Sequence, residues 1–455
     1  MIAGHHTSVW NDDGQDPWNA CKDVSVIGVT MLLVMLVTLA MGVPIVFCIG
    51  LASVVAILMI GPSAPWIIIP NSMFNGMDSF PLMAIPFFVL AGDLMNRGGI
   101  TLRLVEFADT LLGHIRGGLA HANIASSMLF AGITGSALAD TAALGRILIP
   151  AMERAGYDRP FSAAVTAASS LIGPIIPPSV TMIIYGVTAG VSIGGLFLAG
   201  FVPGILIGLG LMLVTYVIAR RRGYPVRDSR ASLRAIAVSF WRALPALMMP
   251  IIILGGIFGG VMTPTESAAV AVVYAIIVGM FVLRELKASD LFPIFLRSGM
   301  VTASIMVIVG SARIFADMLG SEQIPQQLAS LLLAITDEPW ILLLAINLFL
   351  LAVGCVLDTS AAIIILVPVL LPVVAATGID PLTFGVIMCI NLIIGLATPP
   401  LGVCLFVAAD IAGITVERLV VAIWPFLLVE IGVLFLITYV PDVATFLPRL
   451  FGYHS

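Results

Sequence analysis

The chain has 455 residues, 60% of them in the AVILMFWYC set and only 10% charged, with 20 Lys and Arg against 25 Asp and Glu for a formal charge of −5. Soluble domains carry about 25% charged residues, so this chain lacks the polar surface of a soluble globule and reads as an all-α polytopic membrane protein. The only lysines, Lys22 and Lys287, lie outside any G-x-x-x-x-G-K-[ST] loop, the five histidines form no H-E-x-x-H pattern, and Cys21, Cys48, Cys355, Cys389 and Cys404 form no C-x-x-C pair; these exclude an ATP-driven motor within the chain and argue against a zinc hydrolase, while the net charge offers no face for nucleic acid.

Residues 1–23 are polar and acidic and lack the positive segment of a signal peptide, so they read as a disordered tail before a retained first span. Apolar runs of membrane-crossing length fall near 24–41, 43–60, 80–96, 160–187 and 195–218. A second set falls near 243–262, 267–284, 298–318, 383–411 and 420–440, with a tail over 441–455. Two further stretches, 121–155 and 340–375, are apolar but interrupted by Gly, Pro, Asp and Thr. Each is too long for one span and reads as a re-entrant helical hairpin, which membranes tolerate only inside protein or beside a wet cavity. The linker 219–242 carries Arg220, Arg221, Arg222, Arg227, Arg230, Arg234 and Arg242. Short basic loops stay cytoplasmic. That places Arg97, Arg103, Arg116, Arg154 and Arg159 inside as well, and Glu322, Asp337, Glu338 and Asp380 outside.

The two halves, 24–218 and 243–440, resemble each other. GSALADTAALGRILIPAM aligns with GCVLDTSAAIIILVPVL, pairing Asp140-Thr141 with Asp358-Thr359 and Pro150 with Pro368. AGYDRP aligns with TGIDP, and SSLIGPIIPPS with NLIIGLATPPL, pairing Pro177-Pro178 with Pro399-Pro400. More weakly, AGDLMNRGGI aligns with FADMLGSEQI. Five spans and one hairpin per half is an odd number of crossings, so the second half enters upside down. Such inverted repeats mark secondary transporters, whose sites lie at broken helices near the midplane.

A Pro-Pro pair breaks a helix, freeing carbonyls upstream and exposing a new helix N-terminus downstream. The carbonyls can coordinate a small cation, and the N-terminus, at Pro178-Ser179 or Pro400, can face an anion. The hairpin segments GITGSALADT and GCVLDTSA supply Gly, Ser, Thr and Asp, hard oxygen ligands suited to Na⁺; small residues of this kind also ease close helix packing. Asp140 and Asp358 either neutralise a cation or cap the second hairpin helix. Arg146 and Arg313 can meet a substrate carboxylate, pair with an aspartate such as Asp317, or reach toward the interface. Thr263-Pro264-Thr265-Glu266 reads as a helix-capping box.

These residues carry a resemblance. GSALADTAALGRILIPAMERAGYDRPFSAAVTAASSLIGPIIPPS, GGVMTPTESAAVAVVYA and LDTSAAIIILVPVLLPV followed by NLIIGLATPPLGV make the chain, from Val24 to about Leu447, similar to the large membrane subunit of tripartite ATP-independent periplasmic (TRAP) transporters, the DctM-like family. The resemblance implies a transporter and not an enzyme. It implies an elevator-type importer of an organic anion in the bacterial inner membrane, driven by Na⁺ and using no organic cofactor. It implies two partners, a small four-helix membrane subunit and a periplasmic substrate-binding protein. Carried over, its pair of Na⁺ sites falls on Gly135, Ser136, Ser170, Gly173 and Pro177, and on Gly354, Asp358, Thr359, Gly395, Ala397 and Thr398. Ser136, Arg146, Pro178, Ser179, Arg313, Thr398 and Pro400 are the expected substrate contacts. The polar N-tail and Arg146 depart from the family pattern. A related symporter that needs no partners is the alternative. An intramembrane enzyme using Asp140 and Asp358 as a carboxylate pair is disfavoured by their placement in oppositely entering hairpins.

Overall fold

The computed structural model describes residues 26–60, 66–226, 230–327, 330, 338–376 and 378–453, with no strand among them. The tail 1–23, the start of the first apolar run, Arg227 and Asp337 lie outside the described residues. In the first half the chain forms α1 (Val26–Ala40), α2 (Ile45–Ile60), α3 (Ile68–Met77), α4 (Ala84–Arg97), α5 (Ile100–Leu112), α6 (Gly118–Thr134), α7 (Ala137–Arg154), α8 (Arg159–Ser170), α9 (Val180–Ala189) and α10 (Ile193–Arg222). In the second half it forms α11 (Leu233–Phe258), α12 (Pro264–Ile277), α13 (Ala288–Ser321), α14 (Pro339–Gly354), α15 (Thr359–Ala376), α16 (Pro381–Gly395), α17 (Val403–Ala412), α18 (Val416–Tyr439) and α19 (Asp442–Leu450).

Helices start where a side-chain oxygen can accept one of the unpaired first-turn N–H groups. Ser192 opens α10, Ser232 opens α11, and Thr263 with Glu266 forms the expected reciprocal box at α12, with Thr263 N donating to Glu266 Oε2 at 2.8 Å. Among the described residues six helices are long and apolar enough to cross a membrane, or seven if a bent pair is one span. That pair is α3 and the helix run Phe80–Arg97, bent by 63° around Asp78-Ser79; the sequence reading had only its second limb. The runs at 160–187 and 383–411 are each two helices, because the Pro-Pro pairs interrupt them.

Two expected segments differ. The linker 219–242 is helical at both ends: α10 continues to Arg222 and α11 begins at Leu233. Arginines in a last helical turn complement the negative dipole end, so the helix need not stop where the apolar run stops. The tail 441–455 contains α19, which lies on α10 and buries Ala444, Thr445 and Pro448.

Helix packing forms two groups. In one, α4 packs on α12 and α13, α3 on α13, and α5 on α11. In the other, α7 packs on α8 and α17, α8 on α18, α14 on α16, and α15 on α9. Contacts of α13 with α15 and of α5 with α6 join the groups.

Candidate functional site

Two segments meet at each of two places: a hairpin turn and a broken helix. The first turn joins α6 to α7. Thr134 ends α6, Gly135 takes the left-handed φ of 59°, and Ser136 is extended and accepts from Ala139 N at 3.4 Å. Glycine is required at 135 twice over: the positive φ disfavours a side chain, and an added Cβ would sit 2.8 Å from the Pro178 carbonyl oxygen. The turn therefore rests on the Pro177-Pro178 break.

Asp140 lies in the first turn of α7 and is fully buried. Its Oδ1 accepts from the Thr134 hydroxyl, and nothing among the described residues donates to its Oδ2. A Cβ on Gly173 would run into that same oxygen. A bare carboxylate oxygen thus faces the backbone of the broken helix where only glycine leaves room. A buried polar oxygen without a partner is costly.

In the break itself, Gly173 N donates to the Ser170 carbonyl at 3.1 Å, and the Ser170 hydroxyl donates to Thr166 O at 2.7 Å. Pro177-Pro178 is a cis peptide. Ser179 caps α9: its hydroxyl donates to the Pro174 carbonyl at 2.5 Å and accepts from Met182 N at 3.2 Å. The hydroxyl proton is thereby engaged, so in this arrangement Ser179 offers an anion no donor of its own.

The second meeting place is built alike with different residues. Gly354 ends α14, and Asp358 is exposed, with Oδ2 accepting from Ser360 N at 2.9 Å ahead of the buried Thr359. Asp358 therefore caps its helix, whereas Asp140 does not. A Cβ on Gly354 would lie 3.0 Å from the Leu392 carbonyl, and one on Gly395 would collide with the Gly354 backbone. Ala397 N donates to Ile394 O at 3.1 Å, and Thr398 Oγ1 donates to Ile394 O at 2.8 Å. Pro399-Pro400 is also cis, and Cys404 N reaches back across the break to Leu396 O at 3.0 Å.

Buried polar contacts pin each hairpin to its broken helix. Asn123 Nδ2 donates to Thr166 Oγ1 at 2.6 Å and Ser127 to Ser169 at 2.9 Å, joining α6 to α8. Asn391 Nδ2 donates to Asn347 Oδ1 at 2.7 Å, joining α16 to α14. The sequence reading missed these contacts and did not single out Thr134; it weighed Asp140 as neutralising a cation or capping its helix, and the structure shows that it does not cap. The signal available was weak: Asn in an apolar run costs insertion energy and needs a reason.

The repeat has one register through this region. Ser136 and Asp358 both precede the second hairpin arm, 222 residues apart. The left-handed glycines 156 and 378, the helix-opening Asp158 and Asp380, and the two cis proline pairs keep that same spacing of 222. Pro150 then matches Pro372. The sequence pairing of Asp140 with Asp358 is corrected to Ser136 with Asp358, a slip of one helical turn caused by matching identical Asp-Thr letters in a low-complexity run.

The two arginines are not at these meeting places. Arg146 is exposed on α7 and makes no ion pair or hydrogen bond among the described residues. Arg313 Nε pairs with Asp317 Oδ1 at 3.1 Å, and both line a cavity of about 530 Å³ between α3, α9, α13 and α15. That cavity includes no residue of either hairpin turn or either proline pair.

A helical membrane protein whose polar groups are gathered at broken helices is built to hold small solutes inside a bilayer. Comparisons then fix the family. Residues 32–443 match the model described as "Tripartite ATP-independent periplasmic transporter, DctM component", and the chain belongs to that family. It is 42% identical to the sialic acid TRAP transporter permease protein SiaT of Haemophilus influenzae, covering 92% of this chain and 68% of that one. It is 43% identical to the isethionate TRAP transporter permease protein DctMQ of Oleidesulfovibrio alaskensis, covering 90% of this chain and 64% of that one. The chain thus spans about two thirds of the length of these two relatives. It is 41% identical to the C4-dicarboxylate TRAP transporter large permease protein DctM of Pseudomonas aeruginosa, covering 89% and 94%. The Alcanivorax borkumensis YdaH transporter shares the fold, with a TM-score of 0.60 at 17% identity over 81% of this chain and 87% of that one. As a member of a family of transporter permeases, the chain is not an enzyme.

Proposed function

We propose that the chain is the large membrane subunit of a Na⁺-coupled importer of an organic anion in the bacterial inner membrane. It works with a small four-helix membrane subunit and a periplasmic binding protein that delivers the anion. The observation that carries this reading is the contact of each hairpin turn with a proline-broken helix, Gly135 on Pro178 and Gly354 on Gly395. Each contact gathers backbone carbonyls, hydroxyls and a carboxylate, a donor set for a small hard cation. Two Na⁺ sites follow, one on Gly135, Ser136, Ser170, Gly173 and Pro177 beside Asp140, the other on Gly354, Asp358, Thr359, Gly395, Ala397 and Thr398. Bound Na⁺ and the helix starts at Pro178-Ser179 and Pro400, with Ser136 and Thr398, attract the anion between them; Arg146 and Arg313 add positive charge on its way. Relatives named for sialic acid, isethionate and C4-dicarboxylates all point to organic acids as the solute class. The hairpins and broken helices enter as an inverted pair and move together as an elevator past the group formed by α1–α5 and α11–α13.

Reconstitution in liposomes with the small subunit and a loaded binding protein tests the reading. Uptake should require an inward Na⁺ gradient; gradient-independent uptake would end the coupling. Uptake of free solute by this chain alone would replace the three-part system with a self-sufficient symporter.

A further inference from the structure

The Arg313 cavity has a composition unlike its surroundings. Its walls are mainly apolar, from Leu82, Ile184, Val309 and Val367, and its polar lining is Asn75, Ser79, Thr188, Arg313 and Asp317. Arg313 is therefore the one cation in the lining. α3 packs so closely on α13 that a Cβ on Gly76 would lie 2.6 Å from Arg313 Cβ. That contact holds the stem of the arginine while its side chain stays 58% exposed, against 34% for Asp317. Only Nε is committed to Asp317, and the two terminal nitrogens form no hydrogen bond among the described residues.

The place of the cavity along the path follows from helix geometry. Ile184 and Thr188 stand five and nine residues beyond Ser179 on the way to Ser192, and α10 then returns to Arg220–Arg222. At about 1.5 Å per helical residue, the cavity lies roughly 8–14 Å from the first break, on the side away from the arginine-rich ends. α13 agrees: it begins at Lys287, beside the Arg97–Asp290 pair, and ends at Glu322.

We propose that this cavity is an outer anion-binding station, where a carboxylate or sulfonate arriving from the extracytoplasmic side binds Arg313 in competition with Asp317, before it reaches the site between the hairpins. The anion docks on the free terminal nitrogens of the guanidinium, whose planar fork suits two oxygens at once. Asn75 supplies a further donor, whereas the Thr188 hydroxyl proton is spent on the Ile184 carbonyl at 2.8 Å, and the apolar walls tolerate a short carbon skeleton. Asp317 keeps the empty cavity neutral; an exposed pair four residues apart on one helix is weak and readily exchanged. The station rests on the reading of the chain as an organic-anion carrier, but its position and charge selectivity are measurable without transport.

The probes are two thiol reagents of opposite charge, sulfonatoethyl and trimethylammonioethyl methanethiosulfonate, applied from outside to intact cells. The five native cysteines are replaced, and Thr188→Cys or Val187→Cys is the reporter. The expected result is reaction with both reagents, with a preference for the anionic one. Arg313→Gln should lower the anionic-to-cationic rate ratio by about tenfold, from the field of one unit charge at close range. Arg313→Lys should restore most of the ratio, and Asp317→Asn should raise it. A ratio that Arg313→Gln leaves unchanged overturns the station. So does failure of both reporters to react from outside while the same cysteines react in detergent. None of these readouts needs Na⁺, a binding protein or the native solute, so their failure is separate from failure of the transport reading.

Discussion

The two hairpin turns share a register and differ in where they put their charge. In the first, Ser136 caps the helix and Asp140, one turn further in, is buried with one oxygen facing Gly173. In the second, the cap itself is the aspartate: Asp358 is exposed and spends an oxygen on Ser360 N. A capping carboxylate is already compensated by the helix start; a buried one held by a single hydroxyl is not. The two turns therefore share their backbone devices, and the first carries a buried internal carboxylate where the second carries an exposed capping one.

The largest effect expected from this contrast is at Asp140. Na⁺ should raise the Tm of the purified protein, and Asp140→Asn should keep the Thr134 contact, reduce Na⁺-driven uptake by at least about tenfold and shrink that rise to the part given by the second site, since a ligand stabilises only through a site it occupies. Asp358→Asn should lower uptake far less. Equal losses in the two variants would erase the distinction drawn here.

Next comes the backbone contact of the second turn. Gly395→Ala places a methyl group against Gly354, and overpacking of this kind costs about 1–3 kcal/mol. Its Tm in detergent should fall clearly, while alanine at Gly190, where an added Cβ meets nothing but φ is positive, costs only backbone strain. A Gly395→Ala protein as stable as the parent would show that the two segments separate freely.

The smallest effect expected is at Thr398. Thr398→Val removes one hydroxyl, whose hydrogen bond to Ile394 O is local to the helix end, so folding should be intact. Half-saturation for Na⁺ should rise about threefold to tenfold, the worth of one oxygen ligand at roughly 1 kcal/mol. An unchanged Na⁺ titration removes Thr398 from the site.

Much of this architecture is legible in the residues themselves. Pro177-Pro178 and Pro399-Pro400 announce breaks, because proline cannot continue a helix. The interruptions at 132–141 and 354–361 announce turns, and Thr263 to Glu266 spells out its capping box. Composition alone says membrane. What stays hidden is hidden for physical reasons. The bend at Asp78-Ser79 depends on how α3 packs on α13, which no periodicity records. The hairpin register is misread because the capping residues are a serine in one half and an aspartate in the other, while an unrelated Asp-Thr pair lies one turn away. Arg313 looks like a member of the central site, yet its neighbours from α3, α9 and α15 are brought beside it only by tertiary packing.

At Gly354 and Gly395 one main chain lies directly on another, with no side chains between them to act as a cushion. Rotamers cannot relax there to let one strip of chain slip past its neighbour. A displacement of the second turn is therefore felt at once by the main chain of the proline-broken helix beside it, atom against atom.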